Sequence, residues 1–279
     1  MVMAWVPIFN CLAVLVSIVA LVRILNSPSE HRGTPLAIAA LVISLLTSAL
    51  LVPLIPVGLR LMAEQKRQQH ALQSVDNQRA ISAGYTSYLD DHDGWYPRVR
   101  GPAAVGGKKG IAVYQDGNGT HPLPNIVAAV YGAKVPQADR PLNLYISNMK
   151  TFHDPADTGG GAYSVPSFWE SFGNSYQPQV ADDFFRVKHV LGELSESENS
   201  YEGKSMNEQE MAKSPANKII QGDWNWPYDR EDAWHGRDGN ANHIMLYGDG
   251  QVEQFIFPPT TVITNWMSGP PPNPDYKWW

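Results

Sequence analysis

Cysteine and positive charge are the two things this chain has least of. A single cysteine, Cys11, leaves no internal disulfide and no cysteine-based zinc site. Lys and Arg number 21 against 27 Asp and Glu, a net charge of -6. A nucleic-acid binder needs a basic face to neutralise phosphates, so that class of partner is excluded. Also missing are a nucleophile elbow, a His-Glu-x-x-His pair and a phosphate-binding loop, the motifs that prime an acyl nucleophile, hold a catalytic zinc or cradle a nucleotide. No enzymatic activity is expected on those grounds.

What the chain does have is two long apolar runs near its start. Residues 4 to 25, AWVPIFNCLAVLVSIVALVRIL, are apolar up to Arg23, and residues 35 to 62 are uncharged until Arg60. About 20 apolar residues match a hydrocarbon core of roughly 30 Å, so both runs read as membrane spans. The first is longer than the apolar region of a cleaved signal peptide and lacks its basic lead and small-residue cleavage site. Residues 1–62 are therefore expected to be a membrane anchor in contact with lipid. The lysine-poor, Trp-, Tyr-, Gly- and Asn-rich remainder is expected on the extracytoplasmic side. The remaining 217 residues suit one domain.

Residues 63–97 read as an amphipathic helix and a turn. Leu72, Val75, Ile81 and Tyr85 fall near helical spacing, and Asp91-His92-Asp93-Gly94 supplies the stop. The second apolar run is expected to continue unbroken into this helix. Residues 98–257 read as a loop-rich α+β domain, with β candidates at 111–114 and 142–146 and a polar, partly helical insertion at 193–213. The strongest signal is a hairpin: 243–247 and 251–257 flank Gly248-Asp249-Gly250, and an Asp-Gly turn takes positive φ at its centre. A further strand is expected at 218–224. Residues 258–279 form a proline- and tryptophan-rich tail, extended or docked by its last tryptophans.

In order, these pieces are an apolar helix, Tyr88-Leu89-Asp90-Asp91-His92-Asp93-Gly94-Trp95-Tyr96-Pro97, then Phe152-His153-Asp154-Pro155-Ala156-Asp157, then Trp234-His235-Gly236 and Ala241 to Val252. That order resembles the type II secretion pseudopilin-like proteins of the planctomycete and verrucomicrobial type. The resemblance implies a pilin-like fold, a long helix packed on a small antiparallel sheet. It also implies a structural or interaction role in type II secretion or a pilus-like assembly, with secretion-system or envelope proteins, or further copies of the chain, as partners. This chain departs from the pattern in three places, one of them His153 where the family usually has a cysteine. The prepilin cleavage site is degenerate, with Ile38 where the glutamate stands, and Arg237 to Asn240 lengthen the connection from His235 to Asp249.

Four residues are candidate metal ligands: Asp223, His235, Asp238 and Asp249, which two strand ends and a hairpin turn would bring together. Carboxylates beside Gly- and Asn-rich loops suit calcium, and the resemblance points to the same ion; no other cofactor is expected. Their competing role is structural, with Asp249 forming the turn and His235 bonding a loop backbone. An alternative function is a metal-dependent hydrolase or a carbohydrate-binding ectodomain using Asp223, His235 and Asp249, helped by nine tryptophans, six of them after residue 220. Asp93, Gly94, Asp154, Asp157, Gly236 and Gly250 are read as turn-forming, because Asp side chains bond backbone two residues on and glycine accepts positive φ; Asp154-Pro155-Ala156-Asp157 could also hold a cation, the lesser of its two readings.

Overall fold

Two apolar runs and one polar helical stretch decide how the chain starts. In the computed structural model, residues 14–20, 22–23, 26, 34–51, 54–161, 163–183, 186–224, 226, 234–236, 242–257 and 271–279 are described. The chain divides into two units, Met1–Lys66 and Arg67–Trp279.

In the first unit, helix α1 covers Thr34–Leu51 and helix α2 starts at Leu54 and runs to Asp91. The expected membrane anchor is corrected here: among the described residues no helix is long and apolar enough to cross a membrane. The apolar run from 35 to 62 is carried by two helices instead of one. α1 has 18 residues, a rise of about 27 Å, short of a core of roughly 30 Å. α2 meets Arg60 within its first two turns and is polar from there. Most of the first run, 4 to 25, lies outside the described residues. The hydroxyls of α1 turn inward to their own backbone, Ser44 Oγ donating to Ala40 O (2.7 Å) and Thr47 Oγ1 to Ile43 O (2.9 Å). Ile43, Leu46 and Leu50 are left exposed on α1, as are Val57, Leu59 and Leu61 on α2.

In the second unit, α2 from Arg67 onward lies on a sheet. Its buried stripe is Ser74, Gln78, Ile81, Tyr85 and Leu89, steps of three or four residues that hold one face of a helix. The expected apolar face is only half right, since Leu72 is exposed and two polar residues take the buried rows. The helix stops at Asp93 (φ 52°) and Gly94 (φ 75°), whose amide bonds back to Leu89 O (2.9 Å), an end that favours glycine.

Among the described residues eight short strands follow: β1 Arg98–Val99, β2 Val113–Asp116, β3 Gly119–Pro122, β4 Tyr176–Pro178, β5 Gly192–Glu193, β6 Ile219–Asp223, β7 His243–Tyr247 and β8 Val252–Phe255. The main sheet is antiparallel in the order β4-β6-β7-β8. Tyr176 stands opposite Asp223 and Ile244 opposite Gln254. β1 and β5 pair in parallel, and β2 and β3 form a hairpin with Asn118 N donating to Asp116 Oδ1 (2.7 Å). Short helices α3 (Asn125–Val130), α4 (Phe168–Phe172) and α5 (Glu208–Met211) fill the connections.

The predicted α+β class, the β6 strand and the C-terminal hairpin are all present. The hairpin's turn differs from the two-residue type: Gly250 N bonds Tyr247 O (3.0 Å), Tyr247 N bonds Gln251 O (2.9 Å), and only Gly250 has positive φ. That is the three-residue loop with a glycine bulge, which needs one left-handed residue instead of two. Residues 142–146 are not a strand. Pro141 opens a 3₁₀ helix, Pro141–Leu144, and Asn143 holds it by accepting from Gly107 N and donating to Gly107 O, both at 2.8 Å.

A chain of side-chain bonds seals α2 to the sheet. Tyr85 OH donates to Gln221 Oε1 (3.1 Å), Gln221 Nε2 to Gln78 Oε1 (2.7 Å), and Gln78 Nε2 to Ile244 O (3.3 Å). Ile81, Tyr85, Ile220, Leu246 and Trp279 share the core beneath. Trp224 stacks with Phe168 and Phe172 in a second cluster, and Trp226 joins Ile219, Met245 and Phe257 in a third. The tail is docked at its described part, with Ile219 N donating to Trp279 O (3.2 Å) and Asn217 Nδ2 to Pro274 O (2.9 Å).

Candidate functional site

Three ionisable side chains meet where α2, the end of β6 and the turn at 234–236 come together. Asp154 follows the 3₁₀ helix Met149–Phe152, Asp223 ends β6, and His235 lies in the turn. One ligand atom from each lies within 4.8 Å of the other two. His235 Nε2 is 3.1 Å from Asp154 Oδ2 and 3.9 Å from Asp223 Oδ2. The side chains are 2% (His235), 0% (Asp154) and 2% (Asp223) exposed, so water scarcely reaches them.

Local structure fixes each group. Asp154 Oδ1 accepts from Ala156 N (2.8 Å), the Asx turn expected of Asp-Pro-Ala-Asp, while its second oxygen faces the cluster. Ser74 Oγ donates to Asp154 Oδ2 (2.6 Å). With its one proton spent there, Ser74 Oγ accepts from Tyr176 OH (3.2 Å), and Tyr176 OH accepts from Asn77 Nδ2 (3.2 Å). Asn77 also donates to His153 O (2.9 Å), tying α2 to the loop before Asp154. Asp223 Oδ2 accepts from Ile244 N (3.0 Å), where β6 meets β7. Trp234 Nε1 donates to Gly159 O (3.1 Å) and orients the turn that presents His235.

Burial pushes the Asp223 carboxyl up, and the charges of Asp154 and Asp157 add to that, against the opposing pull of His235 and the Ile244 amide. Burial draws the His235 imidazole down, but the charge of Asp223 and the bond to Asp154 outweigh it and its pKa is raised. Asp223 and His235 thus both hold a proton more tightly than the free side chains do. The cluster is also incomplete. Asp223 Oδ1 is enclosed without a hydrogen-bond donor, and both ring nitrogens of the neighbouring His243 are enclosed without partners. Burial lowers the His243 pKa to about 4, with the His235 charge acting in the same direction.

A cleft of about 490 Å³ opens beside the cluster, lined by Arg67, His70, Trp234, His235, Asn242 and Gln254. Gly236 lies on the same rim. Asn242 Nδ2 donates to Gln254 Oε1 (2.9 Å), but its Oδ1 has no partner.

Of the four ligands expected from sequence, the structure brings together Asp223 and His235. Asp238 lies outside the described residues. Asp249 does not join them: it is exposed in the β7–β8 turn, with Oδ1 accepting from Gln251 N (2.9 Å). Its role is the turn, and Gly250 (φ 82°) completes it. The third member is Asp154, read from sequence first as a turn former and left out of the ligand set. The spare carboxylate oxygen is the signal that reading passes over, since an Asx turn occupies one oxygen and leaves one free. Asp157 is wholly structural. Its oxygens accept from the amides of Gly159, Phe168 and Trp169 and from the hydroxyls of Ser167 and Ser175, capping α4.

Comparison with known protein families, curated proteins and solved structures finds no match.

Proposed function

We propose that this chain is a pilin-like structural and interaction module, without catalytic activity, which works in a type II secretion or pilus-like assembly by associating with further copies of itself. The observation that carries this reading is the division of labour along the helices. From Ser74 to Leu89, α2 is fastened to the sheet by the Tyr85–Gln221–Gln78–Ile244 chain and by packing. From Ile38 to Met62, α1 and the start of α2 expose Ile43, Leu46, Leu50, Val57, Leu59 and Met62. Apolar surface on that scale needs a cover, and like helices of neighbouring copies provide one at a spacing their side chains suit. The resemblance to pseudopilin-like proteins favours the same arrangement.

The hydrolase reading rested on Asp223, His235 and Asp249, a constellation the fold does not assemble. The group that does form is closed, which suits a structural lock better than a centre where substrate and water must enter.

The test is disulfide trapping in the full chain with Cys11→Ser. Leu46→Cys is expected to give cross-linked dimers on mild oxidation, while Ser87→Cys, exposed on the sheet-bound part of α2, gives few. A monomer by sedimentation with no Leu46→Cys cross-link overturns the proposal.

A further inference from the structure

The structure assigns a metal site that the sequence-level ligand set does not describe: we propose that Asp154, Asp223 and His235 bind one divalent transition-metal cation, of the zinc or manganese type, as an internal lock between α2, β6 and the turn at 234–236. This rests on the cluster's own geometry and stands whether or not the chain self-associates.

Charge balance is the first argument. Two carboxylates and one imidazole share an enclosed space, and until two protons are bound they carry an excess negative charge. Uncompensated charge in the interior is strongly unfavourable, and buried charges are stable when paired or when they coordinate metals. A dication turns that excess into neutralising coordination.

The second argument is the orphan oxygen. Asp223 is 1% exposed and belongs to the group whose ligand atoms converge, yet its Oδ1 meets no donor. Buried acceptors rarely go unmet, and a carboxylate that coordinates a cation can keep an oxygen without a hydrogen-bond donor.

Geometry and second-layer contacts agree. Ligands at about 2.0–2.2 Å from a tetrahedral ion stand roughly 3.4 Å apart. The observed separations of 3.1 and 3.9 Å straddle that spacing, and no pair exceeds 4.8 Å. Ser74 and the Ala156 amide orient Asp154, and the Ile244 amide orients Asp223, the supports that ligating carboxylates carry in metal centres. The cleft at Trp234, His235 and Asn242 gives an ion its way in.

Donor chemistry selects the metal. An imidazole nitrogen with two carboxylates suits zinc or manganese, whereas calcium takes six to eight oxygens and no nitrogen. Calcium, the ion expected from sequence, is therefore the poorer fit. Coordination through Nε2 uses that nitrogen's lone pair, so a proton bound there passes to solvent.

The experiment uses the full chain, stripped with EDTA and titrated calorimetrically with zinc, manganese and calcium chlorides. One zinc or manganese ion per chain is expected, bound at least tenfold more tightly than calcium, with a rise in melting temperature. Asp223→Asn and His235→Gln each lower that affinity at least tenfold, as loss of a ligand should. Asp249→Asn leaves it unchanged. Circular dichroism confirms that each variant folds, and His235→Gln, at the edge of the cleft, is the variant to rely on if an aspartate substitution does not. Cobalt absorption supplies a second readout: an intense visible band in the parent chain that is lost in His235→Gln. Transition-metal binding that is absent, or that survives both ligand substitutions unchanged, overturns the proposal.

Discussion

Two buried charged centres in the same unit are treated in opposite ways. Arg140 is fully enclosed and has no carboxylate partner, yet its guanidinium donates to Ala103 O (2.5 Å), Gly106 O (2.8 Å) and Phe172 O (3.1 Å), with Val135 O, Gly132 O and Ala133 O within 3.5 Å. Its five N–H groups are used up by backbone carbonyls, some in loops and one, Phe172 O, at the last residue of α4. The Asp154–Asp223–His235 centre is equally dry but leaves Asp223 Oδ1 unmet. A charge whose bonds are complete is explained by the fold it holds together. A charge whose bonds are incomplete points outside the polypeptide, and this contrast is why the second centre, and not the first, is assigned a ligand.

The largest effect should come from breaking the complete centre. Arg140→Met fills similar space but strands the carbonyls of Ala103, Gly106 and Phe172, and an unmet buried acceptor costs about 1–3 kcal/mol. A loss on the order of 3 kcal/mol or more is expected in urea unfolding. Arg140→Lys should recover part of it, because a point ammonium reaches fewer of the carbonyls than the planar fork. If Arg140→Met unfolds at the parent's urea concentration, completeness of bonding is no guide to structural weight and the contrast fails.

Next in size is His243, an incomplete group with no neighbouring carboxylate bonded to it. Its pKa of about 4 lies below the ordinary 6.5, so the unfolded chain binds a proton between those values that the folded chain refuses. Stability is therefore full above pH 6.5 and falls as the pH drops towards 4. Linkage puts the loss at about 2 kcal/mol by pH 5. His243→Leu, which packs against Phe257 and leaves no bare ring nitrogens, should flatten that slope. Unfolding midpoints at pH 5 and pH 8 test this, and an unchanged difference between them would count against burial as the cause.

Legibility in the sequence followed the same division between local and distant causes. The C-terminal hairpin was readable because Asp249-Gly250 and the apolar runs on either side of it are local signals. The buried face of α2 was half readable: Ile81 and Tyr85 announce it, but Ser74 and Gln78 are buried only because Asp154, Gln221 and Ile244 O meet them from elsewhere in the chain. The cluster itself was two-thirds visible. Asp223 and His235 were picked out, whereas Asp154 was hidden behind a turn it does also make. The membrane reading treated composition as if it were one helix, and the structure divides residues 35 to 62 between two.

The smallest effect sharpens the contrast most, because it compares like chemistry with like. Asp183 and His189 form a second carboxylate–imidazole pair, its imidazole buried and its carboxylate partly so, but a complete one: Asp183 Oδ1 accepts from His189 N (2.8 Å) and lies 2.7 Å from its Nδ1, Tyr201 OH donates to Oδ2, and His189 Nε2 is 3.0 Å from Lys204 O. Burial pushes the Asp183 carboxyl up, but the bonds from His189 and Tyr201 outweigh it and hold the carboxyl below its ordinary range. A depressed carboxylate stabilises the fold above its unfolded pKa, near 4, and that stability is lost as the pH falls from there. Asp183→Asn keeps the shape and removes this dependence, so its unfolding midpoint should change less than the parent's between pH 5 and pH 3. Zinc should not bind here, since each oxygen already has its donor. A zinc affinity of the parent chain that falls in Asp183→Asn as much as in Asp223→Asn would show that the orphan oxygen is not what distinguishes the two pairs.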